Sequence, residues 1–160
     1  MSQLQGVALV GDVGGTNARL SLVNLADGTL SNTKIYSSVE NESLEKVIVK
    51  YRQEVSAQFD HACIAIACPL NGDYIKMTNN PWEFSISQMK ANLGLKDLIF
   101  INDFTAMSMS TTAISIDQME KIGGTEAIDD NAPKAIYGAG TGLGVGYLVH
   151  VGGKWAPLPS

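Results

Sequence analysis

A short polar turn near the start of the chain, GDVGGTN at residues 11–17, combines residue types suited to binding an anion. Gly14 and Gly15 lack a Cβ, which permits a positive φ and lets a ligand approach the backbone closely. Successive backbone N–H groups can then cradle a phosphate, and Thr16 adds a side-chain donor. Asp12 would repel that phosphate unless Mg²⁺ lay between them, directly or through water. The alternative is an ordinary hairpin turn, in which these residue types are common.

A second candidate segment, FINDFTA at residues 100–106, places Asn102 and Asp103 where an apolar strand runs into a predicted helix. A carboxylate there can act as a general base, accepting the proton of an alcohol that attacks phosphorus. Asn102 can orient the same alcohol through hydrogen bonds. Alternatively, Asp103 only caps the helix, which is the commonest reason for Asp at such a position.

A third polar cluster, MTNNPWEFS at residues 77–85, offers groups that suit a polyol. Thr78 and Asn79 can donate and accept hydrogen bonds with hydroxyl groups. Trp82 can either stack on the face of a sugar or lie in the hydrophobic core, where indole rings are usually found.

Composition limits the classes of function that this chain can serve. Its 160 residues, 45% hydrophobic and 17% charged, indicate one ordinary globular domain or two small ones. The net charge of −5 argues against a nucleic-acid or anionic-membrane partner. Cys63 and Cys68 are predicted to be unpaired thiols in a reducing cytosol, and we expect a cytoplasmic protein without a signal peptide.

Apolar periodicity and turn residues predict an α/β fold that can position these segments. Three sequential strands form an antiparallel meander, and the later strands alternate with helices, which indicates a mixed sheet. The predicted elements are strands at 7–10, 18–25, 30–38, 61–68 and 98–102, helices at about 42–55, within 84–94 and from 103 onward, a loop at 123–133, and, from 134 onward, a strand, a glycine-rich turn, a second strand, a turn and a third strand. Ser85 and Gln88 suggest a capping box, and Gly94 a helix end.

Taken together, four segments resemble the bacterial-type glucokinases, which belong to the ATPase superfamily that includes actin and hexokinase. GDVGGTNARL is similar to their first phosphate loop, MTNNPWEFS to a T-N-x-x-W-x-F segment, INDFTA to the sugar and base segment, and YGAGTGLGV to the second phosphate loop. The segments occur in the family order and extend over essentially the whole chain. The resemblance implies a ribonuclease-H-like mixed five-stranded sheet with flanking helices, and two lobes that enclose ATP, Mg²⁺ and glucose.

The resemblance also assigns roles to individual residues. It implies that Asp103 deprotonates the glucose 6-hydroxyl, that Asn102 and Asn79 contact the sugar, and that Asp12 lies near the metal. The residues implied to contact the ATP phosphates are Gly11, Asp12, Val13, Gly14, Gly15 and Thr16 in the first loop and Thr141 and Gly142 in the second.

The resemblance further implies a domain organisation. Residues 1–122 would form the small lobe, 123–133 a linker loop and 134–160 the start of a large lobe. Glucokinases continue beyond the position of Ser160 with a G-E-x-G-H stretch, so we expect an N-terminal portion that is incomplete as an enzyme. We expect its apolar hairpin, residues 134–158, to form a homodimer or a strand-exchanged assembly. The alternatives are a non-catalytic sugar or nucleotide sensor with the same fold, and an actin-like or heat-shock-protein-like ATPase.

Overall fold

The computed structural model describes residues 6–124, 129–139 and 143–158. The chain divides into two compact units, Met1–Asp103 and Phe104–Ser160. This division differs from the lobe boundaries at 122 and 134, which stay a prediction. No helix within the described ranges is long and apolar enough to cross a membrane.

The first unit contains a five-stranded mixed sheet, as predicted. Its strands are β1 (Val7–Val13), β2 (Asn17–Asn24), β3 (Leu30–Ser37), β4 (His61–Ile66) and, after the short hairpin β5 (Tyr74–Lys76) and β6 (Glu83–Ser85), β7 (Asp97–Asn102). The order in the sheet is β3-β2-β1-β4-β7. β1, β2 and β3 pair antiparallel, whereas β1, β4 and β7 run parallel. The meander and the parallel strands therefore share β1.

The helix α1 (Leu44–Val55) starts at Ser43, whose Oγ accepts a hydrogen bond from the Lys46 N–H. That side chain satisfies one of the free donors at the helix start, as expected for an N-cap. The helix ends at Ser56, which adopts a left-handed backbone with φ 51°. Its apolar stripe, buried against the sheet, consists of Leu44, Val47, Ile48 and Tyr51. The predicted helix is confirmed, and it begins at Leu44, about two residues later than predicted, because Ser43 is its N-cap.

The second helix, α2 (Ile86–Asn92), forms half of the predicted capping box. Ser85 Oγ accepts from the Gln88 N–H at 3.1 Å. The Gln88 side chain instead donates to Asn92 Oδ1 at 2.8 Å, one turn further along the helix. Gly94 follows the helix with φ 64°, as its predicted role as a helix stop requires.

Strand alternation gives the five-stranded sheet one buried face. Side chains on this face pack against α1 and Trp82 and are fully or almost fully buried, as shown by Leu9, Val13, Leu20, Ile64 and Ile66. The opposite face carries half-buried or exposed apolar side chains, among them Val10, Cys63, Ile99 and Ile35. Asp12 belongs to that second face, because it neighbours the inward-pointing Val13.

The second unit is built from α3 (Asp103–Ser110), whose first residue closes the first unit, and from three antiparallel strands. These strands are β8 (Lys134–Ala139), β9 (Leu143–Val151) and β10 (Lys154–Pro157), in the order β10-β9-β8. Phe104 of α3 covers Gly138 and Gly144, where an added Cβ would lie only 2.5 Å and 1.7 Å from the ring. Glycine is therefore needed at both positions to admit the helix.

The hairpin from residue 134 onward is thus better supported than the sequence suggested. The predicted third strand, β10, pairs with β9, and Phe104 and Ser108 of α3 contact the glycines of the hairpin. Three strands packed on a helix can be stable where a lone hairpin is marginal. The other face of this small sheet still exposes Tyr137, Leu143 and Val151.

Candidate functional site

The candidate residues lie at the end of parallel strands, at one edge of the five-stranded sheet. Val13 of β1 pairs with Ile66 of β4, which in turn pairs with Asn102 of β7. Because neighbouring strands are about 4.8 Å apart, Asn102 lies roughly 10 Å from Val13 across the sheet. The phosphate turn, defined as residues 14–16, follows Val13 directly. The parallel pairing of β1, β4 and β7 therefore brings segments that are distant in sequence to a single edge.

The phosphate turn presents unpaired backbone donors. The Gly14 N–H donates to the Asn17 carbonyl at 2.9 Å and closes the turn. Among the described residues, none accepts a hydrogen bond from the N–H of Gly15 or of Thr16. Two adjacent free N–H groups at a strand end are donors that an anion can use.

The two glycines of the turn do not adopt the positive φ that the sequence suggested. Instead, Gly15 lets the chain pass close to Asn79, since an added Cβ would lie 2.6 Å from the Asn79 Cβ and 3.1 Å from its carbonyl oxygen. At Gly14 an added Cβ would meet only the Asn17 carbonyl oxygen at 3.9 Å, so this side of the turn is open. Glycine is therefore needed at position 15 because Asn79 leaves no room for a side chain, and not because the backbone adopts a positive φ.

The segment between β5 and β6 is fastened to the phosphate turn. Asn80 Nδ2 donates to the Gly14 carbonyl at 3.4 Å, and Asn80 Oδ1 accepts from the Trp82 N–H at 2.8 Å. Trp82 is 1% exposed, and its Nε1 donates to the Asn41 carbonyl at 2.9 Å. Its ring therefore lies in the core and is not available to stack on a sugar. Asn79 is exposed beside the turn, where its side chain can reach a ligand.

Asp12 lies on β1, one residue before Val13, with its side chain 64% exposed. Its Oδ2 is 3.8 Å from Nη1 of Arg19, the residue opposite it on β2. An exposed ion pair at this distance stabilises the fold only weakly. No cluster of three metal-ligating side chains occurs within the described part of the chain. A single accessible carboxylate still fits Mg²⁺, which is commonly held by one or two carboxylates together with substrate phosphates.

Asn102 and Asp103 are half-buried at the junction of β7 and α3. Asp103 is the first residue of α3, and the positive end of a helix dipole interacts favourably with a carboxylate. Its carboxylate is close enough to Cys68 to raise the pKa of that thiol, in addition to the larger effect of burial. Asp103 therefore combines partial accessibility with a position at the start of a helix.

Both cysteines are unpaired thiols, as predicted. Burial raises the pKa of Cys63, and burial together with Asp103 raises the pKa of Cys68, so the reactive thiolates form only at a higher pH than usual. We expect each thiol of the folded chain to react with iodoacetamide at neutral pH at less than about a tenth of its rate in the urea-unfolded chain. Mass spectrometry of the modified peptides measures this, and equal rates for Cys68 in both states would contradict the environment described.

The second glycine-rich turn lies only partly within the described residues. β8 ends at Ala139 and β9 begins at Leu143. The predicted phosphate contacts Thr141 and Gly142 lie outside the described residues, so their roles stay predictions.

Asn80 and Asn41, which make hydrogen bonds that hold the segment beside the phosphate turn, were not singled out from the sequence. Asn80 stands next to Asn79 in a segment already singled out as polar, and it bonds to the phosphate turn. Asn41 contributes only its carbonyl, which any residue type could supply. The sequence pattern could have indicated Asn80 through the Asn-Pro turn signal, but not Asn41.

Comparisons with known proteins show which family and which solved structures this chain resembles. The glucokinase family model matches residues 9–160. A glucokinase of Tolumonas auensis is 56% identical over 151 residues, which are 94% of this chain and 47% of that protein. A glucokinase structure from an Antarctic psychrotroph superposes with a TM-score of 0.83 at 31% identity, covering 96% of this chain and 49% of its own.

A glucokinase of Balamuthia mandrillaris, solved in complex with glucose, superposes with a TM-score of 0.73 at 20% identity and covers 99% of this chain and 48% of its own. At that identity the likeness shows a shared fold. The chain spans about half the length of the relatives that it matches. Since the family model matches nearly all of the sequence, the chain belongs to the glucokinase family.

Proposed function

We propose that this chain forms the N-terminal portion of an enzyme that phosphorylates glucose to glucose 6-phosphate with ATP. The observation that carries this proposal is the edge of the five-stranded sheet. There the free N–H groups of Gly15 and Thr16 and the pair Asn102 and Asp103 lie two strands apart, in a member of the glucokinase family. A phosphate site and a carboxylate base at this separation suit transfer of a phosphoryl group to an alcohol.

The proposed mechanism uses each group for positioning or for proton transfer. Within the first loop, residues 11–16, the free N–H groups of Gly15 and Thr16 bind the ATP phosphates, together with Thr141 and Gly142 of the second loop. Asn102 and Asn79 hold the sugar. Asp103 accepts the proton of the 6-hydroxyl as its oxygen bonds to the γ-phosphorus and the bond to ADP breaks.

Asp12 supplies the protein ligand for Mg²⁺, either directly or through a water molecule. When bound, the metal neutralises charge that develops on the phosphate oxygens. Asp12 and the nucleotide phosphates would hold the metal together, so its site would be complete only with nucleotide bound.

Further proposals concern the domain organisation, the oligomeric state and the cellular location of the chain. We place residues 1–122 in the small lobe, 123–133 in a linker and 134–160 in the large lobe, which the remaining part of a glucokinase would complete. Without that part, the exposed face with Tyr137, Leu143 and Val151 favours a homodimer or a strand-exchanged assembly through residues 134–158. The acidic net charge of −5 argues against nucleic-acid or membrane partners, and the unpaired cysteines suit the cytoplasm.

The test uses a joined protein, defined as this chain followed by the C-terminal part of the Tolumonas auensis relative. We expect it to convert glucose and MgATP to glucose 6-phosphate, detected through reduction of NADP⁺ by glucose-6-phosphate dehydrogenase. A folded joined protein that binds glucose or MgATP without forming product would instead support the alternative function, a sugar or nucleotide sensor. ADP formation measured with glucose, fructose or mannose as the acceptor defines the hexose preference.

Replacing Asp12 by Ala is expected to weaken binding of MgATP by about 10-fold while glucose affinity stays within about twofold, because a charge-assisted contact through the metal is lost. Isothermal titration of each ligand into the joined protein measures the two affinities. Arg19→Ala is the matched control, since it removes the ion pair but keeps the carboxylate. Equal losses of nucleotide and sugar affinity in Asp12→Ala would refute the assignment of Asp12 to the metal.

A further inference from the structure

The orientation of one peptide group decides whether the phosphate turn can bind an anion. The Gly14 carbonyl and the Gly15 N–H belong to the same planar trans peptide, so they point in opposite directions. Asn80 Nδ2 donates to that carbonyl at 3.4 Å. The Gly15 N–H therefore points away from Asn80, and none of the described residues accepts a hydrogen bond from it.

Asn80 is itself held at a fixed position. Its Oδ1 accepts from the Trp82 N–H at 2.8 Å, and Trp82 is anchored in the core by its contact with the Asn41 carbonyl. The adjacent residue, Asn79, packs so closely against the turn that Gly15 has no room for a Cβ. An amide bonded through both its oxygen and its nitrogen has little rotational freedom, so Asn80 can maintain the orientation of the Gly14 carbonyl.

The other end of the turn is held in the same way. The Ser38 N–H, just after β3, donates to the Thr16 carbonyl at 2.8 Å. The carbonyl oxygens at both ends of the turn, those of Gly14 and Thr16, thus accept hydrogen bonds from protein donors. These bonds keep the two partially negative oxygens in fixed positions. A bound anion then meets donors without first turning a peptide plane, which is the benefit of preorganisation.

We propose that Asn80 is a positioning residue for the phosphate turn, fixing the Gly14–Gly15 peptide so that the Gly15 N–H faces the nucleotide phosphates. The identity of the ligand rests on the proposed function, whereas the peptide orientation rests on the geometry alone. Asn80 acts through Gly15 and makes no contact with the reacting atoms.

The test compares Asn80→Ser with Asp73→Asn. The shorter side chain that Asn80→Ser introduces can still accept from the Trp82 N–H through its hydroxyl, but it cannot reach the Gly14 carbonyl. Asp73 accepts hydrogen bonds from the Ser87 N–H at 2.8 Å and from Ser87 Oγ at 2.9 Å, at the far end of the same hairpin. Its replacement loosens the hairpin and leaves the turn contact intact.

We expect Asn80→Ser to raise the Kd and KM for MgATP in the joined protein roughly 5- to 20-fold, because one hydrogen bond to a charged group is weakened when the Gly15 N–H is no longer held in place. The glucose KM should stay within about twofold, and Asp73→Asn should change neither constant at a comparable loss of stability. An unchanged MgATP affinity in folded Asn80→Ser, or an equal loss in both variants, would overturn the proposal.

A second measurement separates this inference from the proposed function. In the ligand-free 160-residue chain, the ¹⁵N–¹H resonance of Gly15 should move or broaden in Asn80→Ser and stay in place in Asp73→Asn. A Gly15 resonance unaffected by Asn80→Ser would overturn the positioning role even if the joined protein is active. A wild-type joined protein that forms no glucose 6-phosphate would count against the proposed function alone.

Discussion

Replacing Asp103 by Asn is expected to lower kcat for glucose phosphorylation in the joined protein by about 10²- to 10⁴-fold, the range found for general bases. Asparagine has nearly the same volume and shape, and its amide can still form hydrogen bonds. It cannot, however, accept the proton of the attacking hydroxyl. Since Asp103 is half-buried at the start of α3, the substitution leaves the packing of that helix largely unchanged.

The split between kcat and KM distinguishes loss of the base from loss of the fold. The KM values for MgATP and glucose should change far less than kcat, and thermal unfolding should shift little. Asp97→Asn is the matched control, because Asp97 lies at the opposite end of β7, where it pairs with His61 at 2.8 Å. Turnover retained in Asp103→Asn, or lost equally in Asp97→Asn, would remove Asp103 from the mechanism.

Replacing Gly144 by Ala is expected to destabilise the second unit by at least about 3 kcal/mol, at the upper end of the range for overpacked sites. The added methyl would lie 1.7 Å from Cε2 and 1.9 Å from Cζ of Phe104, so the whole ring has to move. The helix cannot relieve this clash by shifting toward Gly146, because a Cβ added at Gly146 would itself lie only 2.0 Å from Ser108 Oγ, so the two elements are already in close contact there. Helix α3 must therefore separate from β9.

Hydrogen exchange of the β9 amides in the 160-residue chain measures this loss without assuming that both units unfold together. Gly123→Ala is the control, because an added Cβ there meets nothing within 4 Å. Phe104→Ala combined with Gly144→Ala should cost less than the sum of the two single changes, since the clash is shared. Additive losses, or unchanged exchange in Gly144→Ala, would show that Phe104 does not pack as described.

Periodicity was sufficient to predict the individual strands and a mixed sheet, whereas the five-stranded arrangement was implied by the family resemblance. The strand at 7–10 and the strand at 61–68 are continuous apolar runs, which fit parallel strands, whereas 18–25 alternates as expected for the meander. The helix at 42–55 showed a complete apolar stripe and a serine near its start. Local patterns of this kind survive in the fold because tertiary contacts reinforce them.

The small hairpin that carries Asn79 and Asn80 could not be predicted in the same way. β5 and β6 have three residues each, too few for an alternating pattern to be recognised. The reason for Gly15 was also hidden, because it depends on Asn79 approaching from a distant part of the chain. Contacts between segments far apart in sequence leave no periodic signal, so the positioning of the turn became visible only in three dimensions.

The measurement that tests the central claim most directly is glucose-dependent ADP formation from MgATP by the folded joined protein, with Asp103→Asn assayed in parallel. The account predicts ADP release that requires glucose and falls by at least about 100-fold in the variant. ADP release that is independent of glucose, equal in both proteins or absent from both would contradict a hexose kinase site at this edge of the sheet.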